Sequence, residues 1–102
     1  MKGIIWCARD SAKENWDKAN EILTKIVEDY LRSGHFCIKD KRLSSERVVT
    51  FYNGDQWKIV YASEEYPRGE RCNISYIQRS ISKDIIDSII KTLYNRTSIS
   101  RI

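Results

Sequence analysis

The stretch ERVVTFYNGDQWKIVY, residues 46–61, carries the clearest local signal of the fold. Two apolar-rich runs flank the dipeptide Asn53-Gly54, which is typical of the two central residues of a type I′ turn. A two-residue turn sets the register of the hairpin, so that Thr50 pairs with Trp57. This register predicts a shared face that meets the helices and consists of Val48, Tyr52, Trp57, Ile59 and Tyr61.

The segment before the hairpin begins with a predicted strand and a long helix. Residues 2–8 contain a continuous apolar run of strand length. Ser11, with Glu14 three residues later, is the capping-box arrangement and places the start of the helix there. The apolar face of the helix then consists of residues spaced three and four apart: Trp16, Ala19, Ile22, Leu23, Ile26, Val27 and Tyr30.

A turn and a short strand connect this helix to the hairpin. Gly34 supplies the left-handed residue that ends the helix. Residues 36–38 form an apolar run that predicts a short strand. Residues 39–46 are charged and carry no apolar pattern, so we expect an exposed loop there.

The segment after the hairpin predicts a loop, a last strand and a second helix. Residues 63–71 are polar and hold the single proline, Pro67, which is typical of a loop. Residues 72–77 are an apolar run of strand length, and Ser80 or Ser82 can cap the helix that follows. The apolar stripe of this helix consists of Ile85, Ile86, Ile89, Ile90 and Leu93.

Together these elements predict one domain, residues 1–102, with a single hydrophobic core. Their order is βαβββα or βαββββα, followed by a flexible tail over residues 95–102. That order is typical of the α/β class, with α+β as the alternative, and predicts a single small mixed sheet of about five strands with two helices. It leaves open which face of the sheet each helix covers.

The cysteines and the lack of a long apolar segment indicate a cytoplasmic protein. Cys7, Cys37 and Cys72 are odd in number and each lies in a strand-like apolar run, so we expect reduced, buried thiols. The apolar residues 3–8 are too few for a signal peptide or a membrane span. No C-x-x-C or H-x-x-x-H spacing brings two metal ligands together, so no metal and no cofactor is expected.

The side chains needed for a recognisable catalytic mechanism are missing, and we expect a protein that is not an enzyme. The only histidine, His35, could face the same way as Cys37, but no acid is placed to orient it. Adjacent carboxylates such as Glu28 and Asp29 diverge on a helix and cannot work as a pair. No phosphate-binding G-x-x-x-x-G-K-[ST] loop is present.

A longer pattern indicates a possible origin. A strand ending in Arg9 and a long helix are followed by Asn53-Gly54-Asp55, by Arg68-Gly69 and by the apolar residues 73–77. In this order the chain resembles the middle of the ATPase domain of large terminase subunits, the motors that package phage DNA. In that family the last of these strands ends in paired acids that hold magnesium and activate water.

The two halves of that ATPase chemistry are absent from this sequence. Gln78 and Arg79 occupy the positions of the paired acids, and neither can bind magnesium or act as a base. The phosphate loop that would precede the first strand is also absent. The resemblance therefore implies a phage or prophage origin and this topology, without the ATPase activity.

The leading functional hypothesis is a small phage or prophage accessory protein that binds a protein partner, for example as an inhibitor of host defence or a regulator of a larger machine. It needs no catalytic residues and acts in the bacterial host cytoplasm, as a monomer or as a homodimer through the edge of the hairpin. Tyrosines suit such contacts but also serve as ordinary strand residues. The tyrosines in question are Tyr52, Tyr61, Tyr66 and Tyr76.

Two other functions stay open. The net charge of +4 favours encounters with polyanions, and nucleic acid could be bound through phosphate contacts from loops. A terminase-like nucleotide-binding fragment completed by another chain could use Arg9 or Arg68 as an arginine finger. The candidate contacts for a partner or for nucleic acid are Lys39, Lys41, Arg42, Arg47, Tyr66, Arg68, Arg71 and Arg79.

Overall fold

The computed structural model describes residues 1–63, 72–92 and 97–102. In these residues the chain forms six strands and two helices. The predicted α/β class, with a single mixed sheet and two helices, is confirmed. The elements are β1 Lys2–Cys7, α1 Ala12–Arg32, β2 Cys37–Arg42, β3 Glu46–Phe51, β4 Gln56–Tyr61, β5 Ile74–Ile77, α2 Lys83–Thr92 and β6 Ser98–Arg101.

The strands lie in the order β2-β3-β4-β1-β5-β6. β1 is the centre of a parallel group, because it pairs in parallel with both β4 and β5, and β5 pairs in parallel with β6. β2 and β3 extend the sheet beyond β4 as antiparallel strands. The sheet therefore has a parallel half built around β1 and an antiparallel half that ends at β2.

The two helices cover opposite faces of the parallel half. Ile5 of β1 packs in the cluster that contains α1 residues, and Ile4 packs in the cluster that contains α2 residues, as successive strand residues must. The α1 cluster consists of Ile5, Cys7, Ala19, Leu23, Val49, Phe51, Trp57 and Ile59. The α2 cluster consists of Ile4, Trp6, Ala8, Val60, Ala62, Cys72, Ile77, Ile81 and Ile89. β1 is thus buried on both faces, which explains its continuous apolar run.

The predicted apolar stripes of the helices agree with the packing except at one position. On α1 the stripe packs against the core throughout, and on α2 Ile89 is buried while Ile85 and Ile86 are half-buried. Ile90 is 46% exposed, because it follows Ile89 and a helix turns successive residues away from each other. Leu93 lies outside the described residues. Neither α1 nor α2, within the described residues, combines the length and the apolar content needed to cross a membrane.

The predicted capping box at the start of α1 is wrong. Ser11 has φ 48° and ψ 46°, a left-handed conformation, and its side chain makes no cap hydrogen bond. The chain has only residues 8–11 in which to turn from β1 onto the face of the sheet, and the left-handed residue makes that turn possible. The side-chain amide of Asn15 fastens the turn instead by donating to the Asp10 carbonyl. At the other end of α1, Gly34 has φ 81°, as predicted.

The turn between β3 and β4 has three residues rather than two. Gly54 N–H donates to the Phe51 carbonyl at 2.9 Å, and Phe51 N–H donates to the Asp55 carbonyl at 2.8 Å, so the loop is residues 52–54. Gly54 has φ 92°, whereas Asn53 has no positive φ, which excludes a type I′ turn. The arrangement is that of a three-residue loop with a glycine in the left-handed position.

The extra loop residue shifts the predicted register of the hairpin by one. Because side chains alternate, this shift exchanges the two faces of β3. Val49 is paired with Trp57 and is buried together with Phe51. Val48 and Tyr52, which were predicted for the helix-facing side, are excluded from this core, and Tyr52 is 70% exposed.

The edge strands β2 and β6 were not predicted with their observed bounds. β2 runs through Lys39–Arg42, where a loop is expected, and all its residues are exposed. β6 occupies residues 98–101, within the expected flexible tail, and all its residues are also exposed. Edge strands are held by backbone hydrogen bonds on one side, so they need no apolar alternation that a sequence pattern would reveal. The predicted last strand, residues 72–77, is shorter as β5, and the predicted loop beyond residue 63 lies outside the described residues.

Candidate interaction surface

The crevice in which α/β proteins usually bind ligands is filled in this fold. β1 and β5 are parallel neighbours, but the chain leaves their carboxyl ends towards opposite faces, into α1 and α2, which creates a topological switch point. Gln78, which is 6% exposed, lies there. Its Oε1 accepts a hydrogen bond from Ala8 N–H at 2.8 Å, and its Nε2 donates to the Asn15 carbonyl at 2.8 Å. The side chain therefore joins β1, β5 and the start of α1.

Replacing Gln78 with alanine is expected to lower the free energy of unfolding by about 1–3 kcal/mol, because the buried Ala8 N–H loses its acceptor and the Asn15 carbonyl loses one of its donors. Urea denaturation followed by circular dichroism measures the change. Ser80→Ala, at an exposed position two residues later, is the control and is expected to change stability by less than about 0.5 kcal/mol. Equal effects of the two substitutions would show that Gln78 has no such joining role.

One of the clefts beside this crevice offers little to an anionic ligand. A cleft of about 270 Å³ is lined in part by Arg9, Asp10 and Ser82. The Arg9 Nε donates to the Ala62 carbonyl at 3.3 Å, and its guanidinium lies 5.7 Å from the centre of the Tyr61 ring. The negative charge of the Asp10 carboxylate in the same cleft would repel a phosphate group.

Two of the predicted contact arginines form ion pairs with Asp40 of the same chain. Arg47 is 8% exposed, and its guanidinium donates to both carboxylate oxygens of Asp40, at 3.1 and 2.9 Å, and to Asn20 Oδ1 at 2.7 Å. Arg42 also pairs with Asp40, at 3.3 Å. Arg47 therefore ties β3 to β2 and to α1. Contact of Arg47 with a partner or nucleic acid stays a prediction, for which this burial leaves little accessible surface.

This ion pair predicts a specific response to acid. The hydrogen bond from Arg47 holds the pKa of Asp40 below its usual value of 3.8, although burial acts in the opposite direction. A lowered folded-state pKa means that the stabilisation is complete above the unfolded pKa and is lost as the pH falls through the folded pKa. We expect the wild-type protein to lose more stability than Asp40→Asn between about pH 5 and about pH 2, measured by urea midpoints. A difference between the two proteins that does not change with pH would contradict this assignment.

Lys39 and Lys41 remain available on the surface of β2. They lie opposite Thr50 and Val48 of β3, so both lysines share the sheet face that α2 covers farther along, at β4, β1 and β5. The α2 core cluster includes no residue of β2 or β3. Both lysines are exposed, and neither forms an ion pair within the described residues.

Three large apolar side chains are exposed beside these lysines. Phe36, Ile38 and Tyr52 are 53%, 57% and 70% exposed. The rings of Phe36 and Tyr52 stack with their centres 5.0 Å apart. Ile38 lies where the register of β2 shifts against β3, an irregularity typical of a β-bulge. We call Phe36, Ile38, Lys39, Lys41 and Tyr52 the hairpin patch.

Of the remaining predicted contacts, those that the structure describes lie away from the hairpin patch. Arg79 is exposed at the end of β5, and β4 and β1 lie between β5 and β3. Among the tyrosines, Tyr61 stacks on Trp16 and Tyr76 on Trp57, so both serve the core. Tyr66, Arg68 and Arg71 lie outside the described residues.

Two members of the hairpin patch were missed by sequence reasoning. Phe36 and Ile38 were predicted only as residues of a short strand, because they form an apolar run. The charged residues that follow immediately are the one signal that could have marked this strand as an edge. Cys37, predicted to be buried, is exposed for the same reason.

In the part of the chain that the structure describes, the remaining chemistry-bearing side chains form no further site. Cys7 is buried, and burial together with the nearby Asp10 raises the pKa of its thiol to about 11, which makes it a poor nucleophile. The His35 ring packs edge-on against Tyr30, with centres 6.2 Å apart. The described residues contain no group of three or more histidine, cysteine, aspartate or glutamate side chains arranged to hold a metal ion.

These features define a small α/β domain whose switch-point crevice is filled and whose antiparallel half ends in an exposed edge strand. Comparisons with protein-family models, with curated proteins and with solved structures found no match.

Proposed function

We propose that this chain acts without catalysis, by binding a protein partner through the hairpin patch. In this proposal it is an accessory protein of phage or prophage type in the bacterial cytoplasm, such as an inhibitor of host defence or a regulator of a larger machine. The observation that carries the proposal is the exposure of three large apolar side chains beside two lysines that form no ion pair with any residue of the described part of the chain.

The composition of the patch supports a protein partner. Aromatic side chains are enriched in protein interfaces, and exposed apolar clusters with a charged rim are typical of them. Phe36 and Tyr52 hold each other in place by stacking, so little side-chain freedom is lost when a partner covers them. Lys39 and Lys41 favour a partner whose surface is acidic.

Capture from a bacterial lysate at low and high salt tests the proposal with matched variants. Ile38→Asp places a charge in the apolar part of the patch, and Ile90→Asp places the same charge at an exposed isoleucine of α2. We expect one protein to be captured by the wild type and by Ile90→Asp, to remain at high salt, and to be reduced about tenfold or more with Ile38→Asp. The purified partner should form a defined one-to-one complex with the wild type.

Two results would contradict this function. A partner that binds Ile38→Asp as well as the wild type would place the interface elsewhere. Recovery of nucleic acid alone, lost steeply as salt rises, would favour the competing nucleic-acid function, because phosphate contacts release counterions. The filled switch-point crevice argues against the third function, a nucleotide-binding fragment, since Gln78 occupies the place of the ligand.

A further inference from the structure

Within the described residues, the outer edge of β2 carries backbone hydrogen-bonding groups that no other strand uses. Leu43 N–H donates to the Glu46 carbonyl at 2.8 Å, which identifies a hydrogen-bonded pair of the β2–β3 ladder. In an antiparallel ladder hydrogen-bonded pairs alternate with pairs that are not hydrogen-bonded, so Leu43, Lys41 and Lys39 bond to β3. The residues between them, Asp40 and Arg42, therefore direct their N–H and C=O groups away from β3. β2 is the last strand of the sheet order in the described residues, and all its residues are exposed.

The length of this free edge limits what can bind it. The register shift between Cys37 and Lys39 interrupts the regular strand on one side, and the turn after Arg42 ends it on the other. The regular edge is therefore residues 39–42. A partner strand of about four to six residues matches it.

The side chains of the edge specify the charge of the occupant. Lys39 and Lys41 are two residues apart and so project from the same face of β2. A strand added beside β2 presents its own residues two apart opposite this pair, and cross-strand pairs of opposite charge are stabilising. The complementary pattern is therefore acid-x-acid, with x opposite Asp40.

A second copy of this chain fits the edge poorly. Antiparallel self-pairing that matches the free groups of Asp40 and Arg42 would place Lys41 opposite its own copy, and like charges directly opposed are destabilising. The same register would place Asp40 opposite Arg42, but the Asp40 carboxylate already pairs with Arg47 and Arg42 of its own chain. Lysines and bulges on edge strands are also the devices that prevent self-pairing of sheets. The net charge of +4 on each copy acts in the same direction.

We propose, as a deepening of the proposed function, that the partner supplies an extended acid-x-acid segment that adds to the sheet as a strand beside β2. Backbone hydrogen bonds to Asp40 and Arg42 give the segment its register. The lysines select its acidic residues, and the apolar members of the hairpin patch contact the part of the partner that flanks the strand.

Selection from a library of displayed random peptides of about ten residues on the immobilised full-length protein tests this mode of binding. We expect the enriched peptides to share the acid-x-acid pattern. A synthetic copy of the most enriched peptide is then titrated against variants. Arg42→Pro removes one outward N–H at an edge position, and Arg42→Ala removes the same side chain while keeping that N–H.

We expect Arg42→Pro to bind the peptide about tenfold more weakly than Arg42→Ala does, because a hydrogen bond in the added ladder is lost. Lys41→Glu should weaken binding by a similar factor, and Lys25→Glu on α1 should leave it unchanged. A peptide N-methylated at the central residue should bind the wild-type protein weakly, which keeps the test valid if the proline variant folds poorly.

Three outcomes would overturn strand addition. These are no enrichment of acid-x-acid peptides, equal affinity of Arg42→Pro and Arg42→Ala with no effect of N-methylation, and a wild-type dimer that the proline dissociates. The proposed function is judged separately, because Ile38→Asp tests the hairpin patch whether or not the partner adds a strand.

Discussion

Gly3→Ala is expected to lower the free energy of unfolding by about 3 kcal/mol, although the substitution adds a single methyl group. Gly3 is paired with Trp57 across β1 and β4, and a Cβ at this position would lie 2.5 Å from ring atoms Cδ2 and Cζ3 of that tryptophan. The ring cannot easily move away, because Trp57 is 3% exposed, stacks on Tyr76 and donates its Nε1–H to the Tyr30 hydroxyl. Urea denaturation followed by circular dichroism measures the loss, which is a large part of the stability of a domain of this size.

A double-mutant cycle identifies the cause of that loss. If the clash with the indole ring is responsible, Gly3→Ala should cost much less in a Trp57→Leu background than in the wild type. Additive effects would mean that the clash is relieved by other adjustments and that another mechanism operates. The cycle therefore tests the close approach of the Gly3 backbone to the Trp57 ring. A glycine in the interior of a strand often marks such an approach in a sequence.

Trp6→Ala is expected to destabilise the protein by about 3–5 kcal/mol, the range for deletion of a buried aromatic side chain. Trp6 is fully buried in the α2 cluster, with no exposed surface, and its Nε1–H donates to Ser75 Oγ at 3.1 Å. The substitution therefore leaves a cavity between β1 and α2 and removes the donor to a buried hydroxyl.

Trp6→Phe separates these two contributions. It keeps most of the ring volume and loses the Nε1–H, so we expect a smaller loss of about 1–2 kcal/mol. The same substitution at Trp16, which is only half-buried on α1, should cost less than at Trp6. Equal losses for Trp6→Ala and Trp16→Ala would contradict the central position of Trp6 in the core.

The proposed binding function rests on two features of the fold, the crevice position taken by Gln78 and the exposed edge strand β2. Gln78 uses its hydrogen-bonding groups within the protein, so the position where α/β sheets present ligands serves the core. The exposed side chains of the hairpin patch lie instead at the far end of the antiparallel half. The proposed partner would contact the hairpin there without disturbing either helix layer.

The hairpin shows where pattern reasoning succeeds and where it stops. Asn53-Gly54 between two apolar runs correctly indicated a hairpin. The choice between a two-residue and a three-residue loop decides the register, and local sequence permits both. In the structure the loop is residues 52–54, which lets Phe51 stack on Tyr30 of α1 with ring centres 3.9 Å apart. The observed register thus goes with a contact between β3 and α1, which the residues of the turn do not reveal.

The candidate site also depends on contacts that local sequence patterns do not reveal. Lys39 and Lys41 were predicted as surface contacts, and exposure agrees with that part of the prediction. Arg47 belonged to the same charged stretch, yet it is buried because Asp40 and Asn20 satisfy its guanidinium. Charge by itself cannot distinguish the two cases, since the distinction depends on which face of β3 meets α1.

The amino-acid sequence by itself determined the α/β class, the single mixed sheet, the central buried strand and the apolar faces of the helices. These follow from the period of apolar residues along the chain, which is local information. Only the tertiary structure decided the hairpin register, the exposed edges β2 and β6, the filling of the crevice by Gln78 and the composition of the hairpin patch. Each depends on backbone or side-chain partners far apart in sequence, and edge strands held by backbone hydrogen bonds leave no apolar pattern to read.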